Sequence, residues 1–372
     1  MTDVAMLVLE DGTVLEGLPY AARGTAVGEL VFITSMTGYQ EIVTDPSFAG
    51  QMITFTHPMI GNYGVERDVS ESEHPHARAV IVREGRNASP NGRVGFSDWL
   101  AKHGVVGIQG LDTRMLTRRL RDGGTMRAAV TSDGTSAADA LAAVRREPEM
   151  AGQALAGGVS RDEPLELDAI GPERAHVAVL DYGVKGSIVR ILREAGARVT
   201  VMPWDSTADE VLQRRPDGVL LGNGPGDPAA LPECVGEVRS MIGSVPVFGI
   251  CLGHQLLGRA LGLETFKLRF GHRGANHPVL DLQSRRVLVT AQNHGFAVRV
   301  PEGGGDLQTD FGPAEVTHVS LYDGTVEGLS LRGLPVSSMQ FHPEASPGPH
   351  DAREALSGFV DRLSERTTVA EA

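Results

Sequence analysis

The sequence predicts an α/β protein of two domains. An N-terminal α+β domain is expected over residues 1–150, a linker over 151–174, and a domain with a mostly parallel central sheet covered by helices over 175–366. Three observations predict this. The chain has 372 residues, enough for two separate cores. The first half mixes a hairpin signal with later helical patterns. The second half repeats strand, tight turn and helix, and its strands are continuously apolar, as in a parallel sheet buried on both faces.

In chain order, Ala5-Met-Leu-Val-Leu and Thr13-Val-Leu-Glu flank Asp11-Gly12, a hairpin signal. Further strands are expected over 29–34, 51–56 and 79–83. Helical patterns follow over 97–103, 112–121 and 136–146, the second opening on an N-cap Asp. Between 151 and 174 periodicity fades into GGVSRDEPLELDAIGPE, rich in Gly, Pro and acidic residues, hence the expected linker. Beyond it, strands are expected over 176–180, 198–202, 218–221 and 337–341, with a helix over 186–194. The strand 246–250 runs straight into Cys251 and an apolar helix through Leu261. In such sheets, sites lie beyond the carboxyl ends of the strands, which is where 222–228 and Cys251 fall. Residues 367–372 are expected to form a flexible tail.

Composition narrows the class. The 41% hydrophobic and 22% charged residues are those of an ordinary globular protein. A formal charge of −13, from 34 Lys and Arg against 47 Asp and Glu, argues against nucleic acid or an anionic membrane held by bulk electrostatics. The N-terminus lacks a basic and an apolar signal region, and no run approaches the roughly 18 apolar residues of a membrane helix. A cytoplasmic protein is expected. Cys234 and Cys251 are too few for a disulfide framework, so any cysteine chemistry rests on one reactive thiol.

Gly249-Ile250-Cys251-Leu252-Gly253 sets a cysteine between two glycines where a buried strand meets a helix, the form of a nucleophile elbow with sulfur in place of oxygen. The helix start offers free N–H groups and the positive end of its dipole, which favour a thiolate and supply oxyanion donors, the N–H of Leu252 first among them. Cys234 has no such context and is expected to be inert. A thiolate needs a base, and the base an orienting group. His342 and Glu344, two apart in a stretch expected to be extended, would face the same way; in isolation they read equally as a surface pair. His254, three residues after Cys251, is the rival base. A metal site drawing on Cys251, His254, His342 and Glu344 is the rival chemistry by ligand type. The loop Gly222-Asn223-Gly224-Pro225-Gly226-Asp227-Pro228 suits phosphate or an oxyanion; it lacks the Lys-Ser/Thr of a P-loop and GxGxxG spacing, so backbone N–H groups aimed at a carbonyl oxygen are preferred. Gln292-Asn293-His294-Gly295-Phe296 supplies groups suited to an amino-acid ligand.

Taken together, GNGPGDP, PVFGICLGHQ, TAQNHGF and MQFHPE, in that order, resemble the class I (triad-type) glutamine amidotransferases. The N-terminal half resembles the domain found in small subunits of carbamoyl-phosphate synthase, through TSMTGYQEIVTDPSFAGQMITFTHPMIGNYGV and GIQGLDTRMLTRRLRDGG. The resemblance covers nearly the whole chain, with no departure at a motif position. It implies hydrolysis of L-glutamine to glutamate and ammonia, with Cys251 as nucleophile through a thioester, His342 as acid and base, and Glu344 orienting it. It also implies that Ser47, Gly224, Gly226, Leu252, Gln255, Asn293, Gly295 and Phe296 hold glutamine, Ser47 coming from the other domain. By itself Ser47 reads as an ST-turn residue after Pro46. The implied partner is a large subunit that takes the ammonia through a tunnel and, with bicarbonate and two ATP, makes carbamoyl phosphate for arginine and pyrimidine synthesis. No cofactor or metal is expected in this chain; ATP and Mg2+ would belong to the large subunit. The assembly is open between a heterodimer and a higher oligomer of heterodimers. Two rivals stand beside this reading: a cysteine peptidase or stand-alone amidase on the same scaffold, and a regulatory subunit keeping the fold without the chemistry.

Overall fold

The computed structural model describes residues 4–300 and 307–371, with side chains through residue 366. The chain divides into two compact units, Met1–Gln153 with Arg269–Gly274, and Ala154–Leu268 with Ala275–Ala372.

In the first unit Ala5–Leu9 and Val14–Pro19 pair antiparallel across the Asp-Gly turn, where Gly12 takes φ 89°. This is the positive φ that an Asp-Gly hairpin needs. Around it the sheet closes into a barrel, in the order Ala5–Leu9, Val14–Pro19, Val106–Gln109, Ala79–Val82, Gln51–Phe55, Thr25–Ile33, Met126–Thr131. The expected strands at 29–34, 51–56 and 79–83 lie within this barrel. Closure leaves no free edge, and Gln51–Phe55 and Ala79–Val82 are buried at every residue. Helix Thr113–Gly123 is capped by Asp112, whose carboxylate accepts from the Met115 N–H at 2.9 Å, and it buries Leu116 and Leu120 in the core. Helix Ala137–Arg146 is capped by Ser136 and sets Ala140 and Val144 against Val8 and Ala129.

The second unit is one large sheet. Its centre is five parallel strands in the order Ala197–Pro203, Ala175–Asp181, Gly218–Leu221, Val247–Ile250, Val336–Met339. Alternate residues serve alternate cores. Ala178, Leu180, Val219 and Leu221 join helices Ala208–Gln213, Pro232–Met241 and Leu252–Ala260 in one cluster. Val177, Val179, Leu220, Phe248 and Ile250 join helices Gly186–Glu194 and Glu354–Glu371 in the other. Both faces are therefore covered, which is why these strands read as continuously apolar. Beyond Val336–Met339 the sheet continues with Val326–Leu331, Gly312–Ser320, Thr265–Asp281 and Val287–Val298; the sequence implies only a strand leading into Gln292, and the first three carry no clear signal. The last three strands mix buried and half-exposed residues irregularly, and their buried stretches include polar residues such as Gln292, Asn293 and His294.

Of the expected linker 151–174, residues 154–174 belong to the second unit and 151–153 to the first. Leu165–Leu167 pairs antiparallel with Ala197–Pro203 as an edge strand. Three residues with two exposed give no periodic signal, so sequence alone reads them as connection. The helix Glu354–Glu371 covers most of the expected tail; its side chains from 367 on, and Ala372, lie outside the described residues.

Candidate active site

Cys251 ends the strand Val247–Ile250 and stands immediately before helix Leu252–Ala260, with φ 53° and ψ −104°. A side chain held at positive φ between a strand and a helix is strained, and that strain turns it out at the sheet's carboxyl edge. The flanking glycines have a steric reason. A Cβ on Gly253 would lie 2.2 Å from the Leu221 carbonyl oxygen, and one on Gly249 would lie 2.7 Å from that of Gly253. The elbow is held by the Cys251 N–H donating to Met339 O at 2.9 Å and the Gly253 N–H to Gly222 O at 3.0 Å. The thiol is buried and donates to the Asn293 carbonyl at 3.6 Å. Leu252 opens the helix, where the N–H has no acceptor within the helix itself.

The strand leading to His342 stops at Met339, two residues short of expectation, and His342 to Ala345 form a turn in which the Ala345 N–H donates to His342 O at 3.1 Å. The two side chains nevertheless meet. His342 Nδ1 lies 2.6 Å from Glu344 Oε1, so Nδ1 carries the proton and donates, and both groups are buried. That leaves Nε2, which has no hydrogen-bond partner among the described residues, as the nitrogen available for exchanging protons with a bound substrate. Burial opposes the charged ring; the Glu344 carboxylate and then Cys251 outweigh it and push His342 up to about 10. Burial likewise opposes a charged Glu344. The Lys185 ammonium, followed by His342, overcomes it and holds the carboxyl down at about 2.

Lys185 is the residue that sequence reading missed. Its Nζ lies 3.0 Å from Glu344 Oε1 and donates to the carbonyls of Ala345 at 2.7 Å and Ser346 at 2.9 Å, with 3% of its side chain exposed. Those carbonyls belong to residues at φ 61° and 49°. A buried lysine needs an anion, but the anion is 159 positions away in sequence, beyond any local pattern. The Lys185 N–H donates to Asn223 Oδ1 at 3.1 Å, tying it to the glycine-rich loop.

His254, the rival base, is fully buried and hydrogen-bonded through Nδ1 to Ser338 Oγ at 2.9 Å; burial pushes it down to about 3. It is a neutral packing group. Cys234 donates to Trp204 O at 3.5 Å, and burial pushes its thiol up to about 12.

Of the residues expected to hold glutamine, those in the second unit cluster around the elbow. The Gly222–Pro228 loop runs beside it, and a Cβ on Gly224 would lie 3.1 Å from Leu252 Cδ2. Gly226 takes φ 95°, and Asp227 caps the following turn, accepting from Ala229 N–H at 2.8 Å. Gln255 Nε2 donates to Phe296 O at 2.8 Å and to Gln340 Oε1 at 3.0 Å. The strand carrying Asn293, Gly295 and Phe296 lies beside the triad, since the His342 N–H donates to Ala291 O at 2.9 Å. Ser47 lies in the first unit, in the short turn Pro46–Phe48, where Asp45 accepts from its N–H at 2.9 Å; the turn is of the Asx type, made by the Asp45 side chain, where the sequence suggests an ST-turn at Ser47.

Comparison with known proteins adds an independent line. Residues 7–130 match the model of the carbamoyl-phosphate synthase small chain, CPSase domain, and residues 178–361 that of class-I glutamine amidotransferase. A carbamoyl phosphate synthase small chain of Parasynechococcus marenigrum is 47% identical over 381 residues, covering 98% of this chain and 97% of that one. One of Akkermansia muciniphila is 47% identical over 365 residues, with 95% and 96% covered. One of Chlorobaculum tepidum is 46% identical over 370 residues, with 97% and 98% covered. With matches of this extent across both units, the chain belongs to the carbamoyl phosphate synthase small chain family, as its glutamine-hydrolysing amidotransferase subunit.

Proposed function

We propose that this chain hydrolyses L-glutamine at Cys251 through a cysteinyl thioester and passes the ammonia to its large subunit. The observation that carries the reading is the strained Cys251 at a helix start, within one buried site with a His342 already oriented by Glu344. The Cys251 thiolate attacks the side-chain amide carbon of glutamine. The carbonyl oxygen, now an oxyanion, accepts from the Leu252 N–H and from the glycine-rich loop. Charged His342 gives its proton to the departing nitrogen; the C–N bond breaks, ammonia leaves and a γ-glutamyl thioester remains. Neutral His342 then takes a proton from water, the hydroxide adds to the thioester, and glutamate leaves as the thiolate returns. Glu344 keeps Nδ1 protonated throughout, so that Nε2 does the transfer. Ser47, Gly224, Gly226, Leu252, Gln255, Asn293, Gly295 and Phe296 are proposed to hold the substrate.

The large subunit would then combine ammonia with bicarbonate, using two ATP with Mg2+, to make carbamoyl phosphate for arginine and pyrimidine synthesis. A cytoplasmic location fits this role. Trapping tests the chemistry directly. A glutamine-like electrophile should add once per chain, at Cys251 and not at Cys234, when the adduct is located by mass spectrometry. Labelling at both cysteines, or at neither, contradicts the reading.

A further inference from the structure

Outside the triad, the second unit buries a carboxylate that the mechanism above does not use. Glu327 lies in the strand Val326–Leu331 with its side chain fully buried. Its Oε2 accepts from Gln292 Nε2 at 2.9 Å, and its Oε1 lies 4.0 Å from His294 Nε2. Gln292 and His294 belong to the strand Val287–Val298, which also carries three of the residues proposed to hold glutamine. Side chains alternate along a strand, so Asn293 and Gly295 share one face while Gln292 and His294 share the other. The back of the substrate strand is therefore hydrogen-bonded to a buried anion through Gln292, with the His294 ring beside it.

A chain of hydrogen bonds runs from His294 back to the Glu327 backbone. His294 Nδ1 donates to the Phe296 carbonyl at 2.8 Å, and the same oxygen accepts from Gln255 Nε2 at 2.8 Å. The Gln255 amide also donates to Gln340 Oε1 at 3.0 Å, and the Gln340 N–H donates to the Glu327 carbonyl at 2.9 Å. Four of the proposed glutamine-holding residues, Gln255, Asn293, Gly295 and Phe296, either belong to this series of hydrogen bonds or sit on the strand it anchors. A buried carboxylate is costly unless charge and hydrogen bonds compensate it, and charge-assisted hydrogen bonds are about twice as strong as neutral ones. Such a group suits a place where a strand must be held in one register against a ligand.

We propose that Glu327 is a positioning residue for glutamine: through its hydrogen bond from Gln292 it fixes the strand that carries Asn293, Gly295 and Phe296. The proposal rests on the glutaminase reading above. It separates Glu327 from the triad, because a misplaced substrate strand weakens binding while Cys251, His342 and Glu344 stay as they are.

The test is glutamate release against glutamine concentration, for the full chain assembled with its large subunit, in wild type, Glu327→Gln and Glu327→Asp. Losing the charged acceptor should raise KM for glutamine by about tenfold or more, with kcat within a few-fold. Ammonia-dependent synthesis should be unchanged, and Glu327→Asp should fall between the two. Should Glu327→Gln fail to assemble, Gln292→Met removes the same hydrogen bond from the other side and should raise KM likewise. An unchanged KM overturns the proposal, as does a fall in kcat matched by equal losses of ammonia-dependent synthesis and thermal stability. A wild-type complex that releases no glutamate overturns the glutaminase reading itself, and the positioning role falls with it.

Discussion

Among single residues, the triad explains less of the site than the cation behind it. Lys185 is the strongest influence holding Glu344 ionised against its burial. Replacing it with Met removes that influence, so the Glu344 pKa rises. The acid limb of glutamine hydrolysis should then move to higher pH, with kcat reduced and ammonia-dependent synthesis retained. Breaking one side of a fully buried pair should also cost about 3–5 kcal/mol in denaturant unfolding, and Lys185→Arg should recover part of both. An unmoved pH profile would show Lys185 to be structural only. The triad also ties stability to pH. Glu344 is held near 2 against 4.5 in the unfolded chain, so its contribution is present above 4.5 and fades as pH falls towards 2. His342 is raised to about 10 from 6.5, so its contribution is full below 6.5 and fades as pH rises towards 10. Stability across pH should therefore flatten at the acid end in Glu344→Gln, measured by urea midpoints. Cys251 was legible as a candidate from its strand, glycines and helix start, and His342 and Glu344 from their spacing taken together with the family resemblance. Lys185 was not, because its partner is distant in sequence and nothing in Tyr182-Gly-Val-Lys marks the lysine as buried.

Elements place these residues. The elbow depends on helix Leu252–Ala260 approaching the Leu221 end of its neighbouring strand, and only glycine at 253 allows it. Gly253→Ala should destabilise the chain by about 1–3 kcal/mol through overpacking, and lower kcat as well, because relief of the clash moves the helix start that carries the Leu252 N–H. A full kcat with normal stability would contradict this account of the glycines. Strand and helix positions within the parallel sheet were readable from sequence to within a few residues, since burial on both faces makes an apolar run. The antiparallel extension was not, because its strands mix buried polar and half-exposed residues without a clear period and their partners are set by tertiary pairing. The end of the strand at Met339 shows the same limit: His342 and Glu344 meet through a turn, where the sequence pattern predicts two residues in extended chain.

For the whole molecule, the division into two units followed from chain length and the change of pattern, while the closure of the first sheet into a barrel did not. Alternation along each strand is the same in an open sheet and a closed one; only the pairing of Ala5–Leu9 with Met126–Thr131 completes the ring. Among the described residues no helix is long and apolar enough to cross a membrane. Membership of the small chain family gives this chain a large subunit as partner and glutamine as substrate. On the proposed mechanism the triad acts only in liberating ammonia, so free ammonia should bypass it. The most direct measurement is carbamoyl phosphate synthesis by the assembled complex, with glutamine or with ammonia as nitrogen source, for wild type and Cys251→Ser. The account predicts that Cys251→Ser abolishes synthesis from glutamine and leaves synthesis from ammonia largely intact. Loss of both, or retention of both, would contradict it.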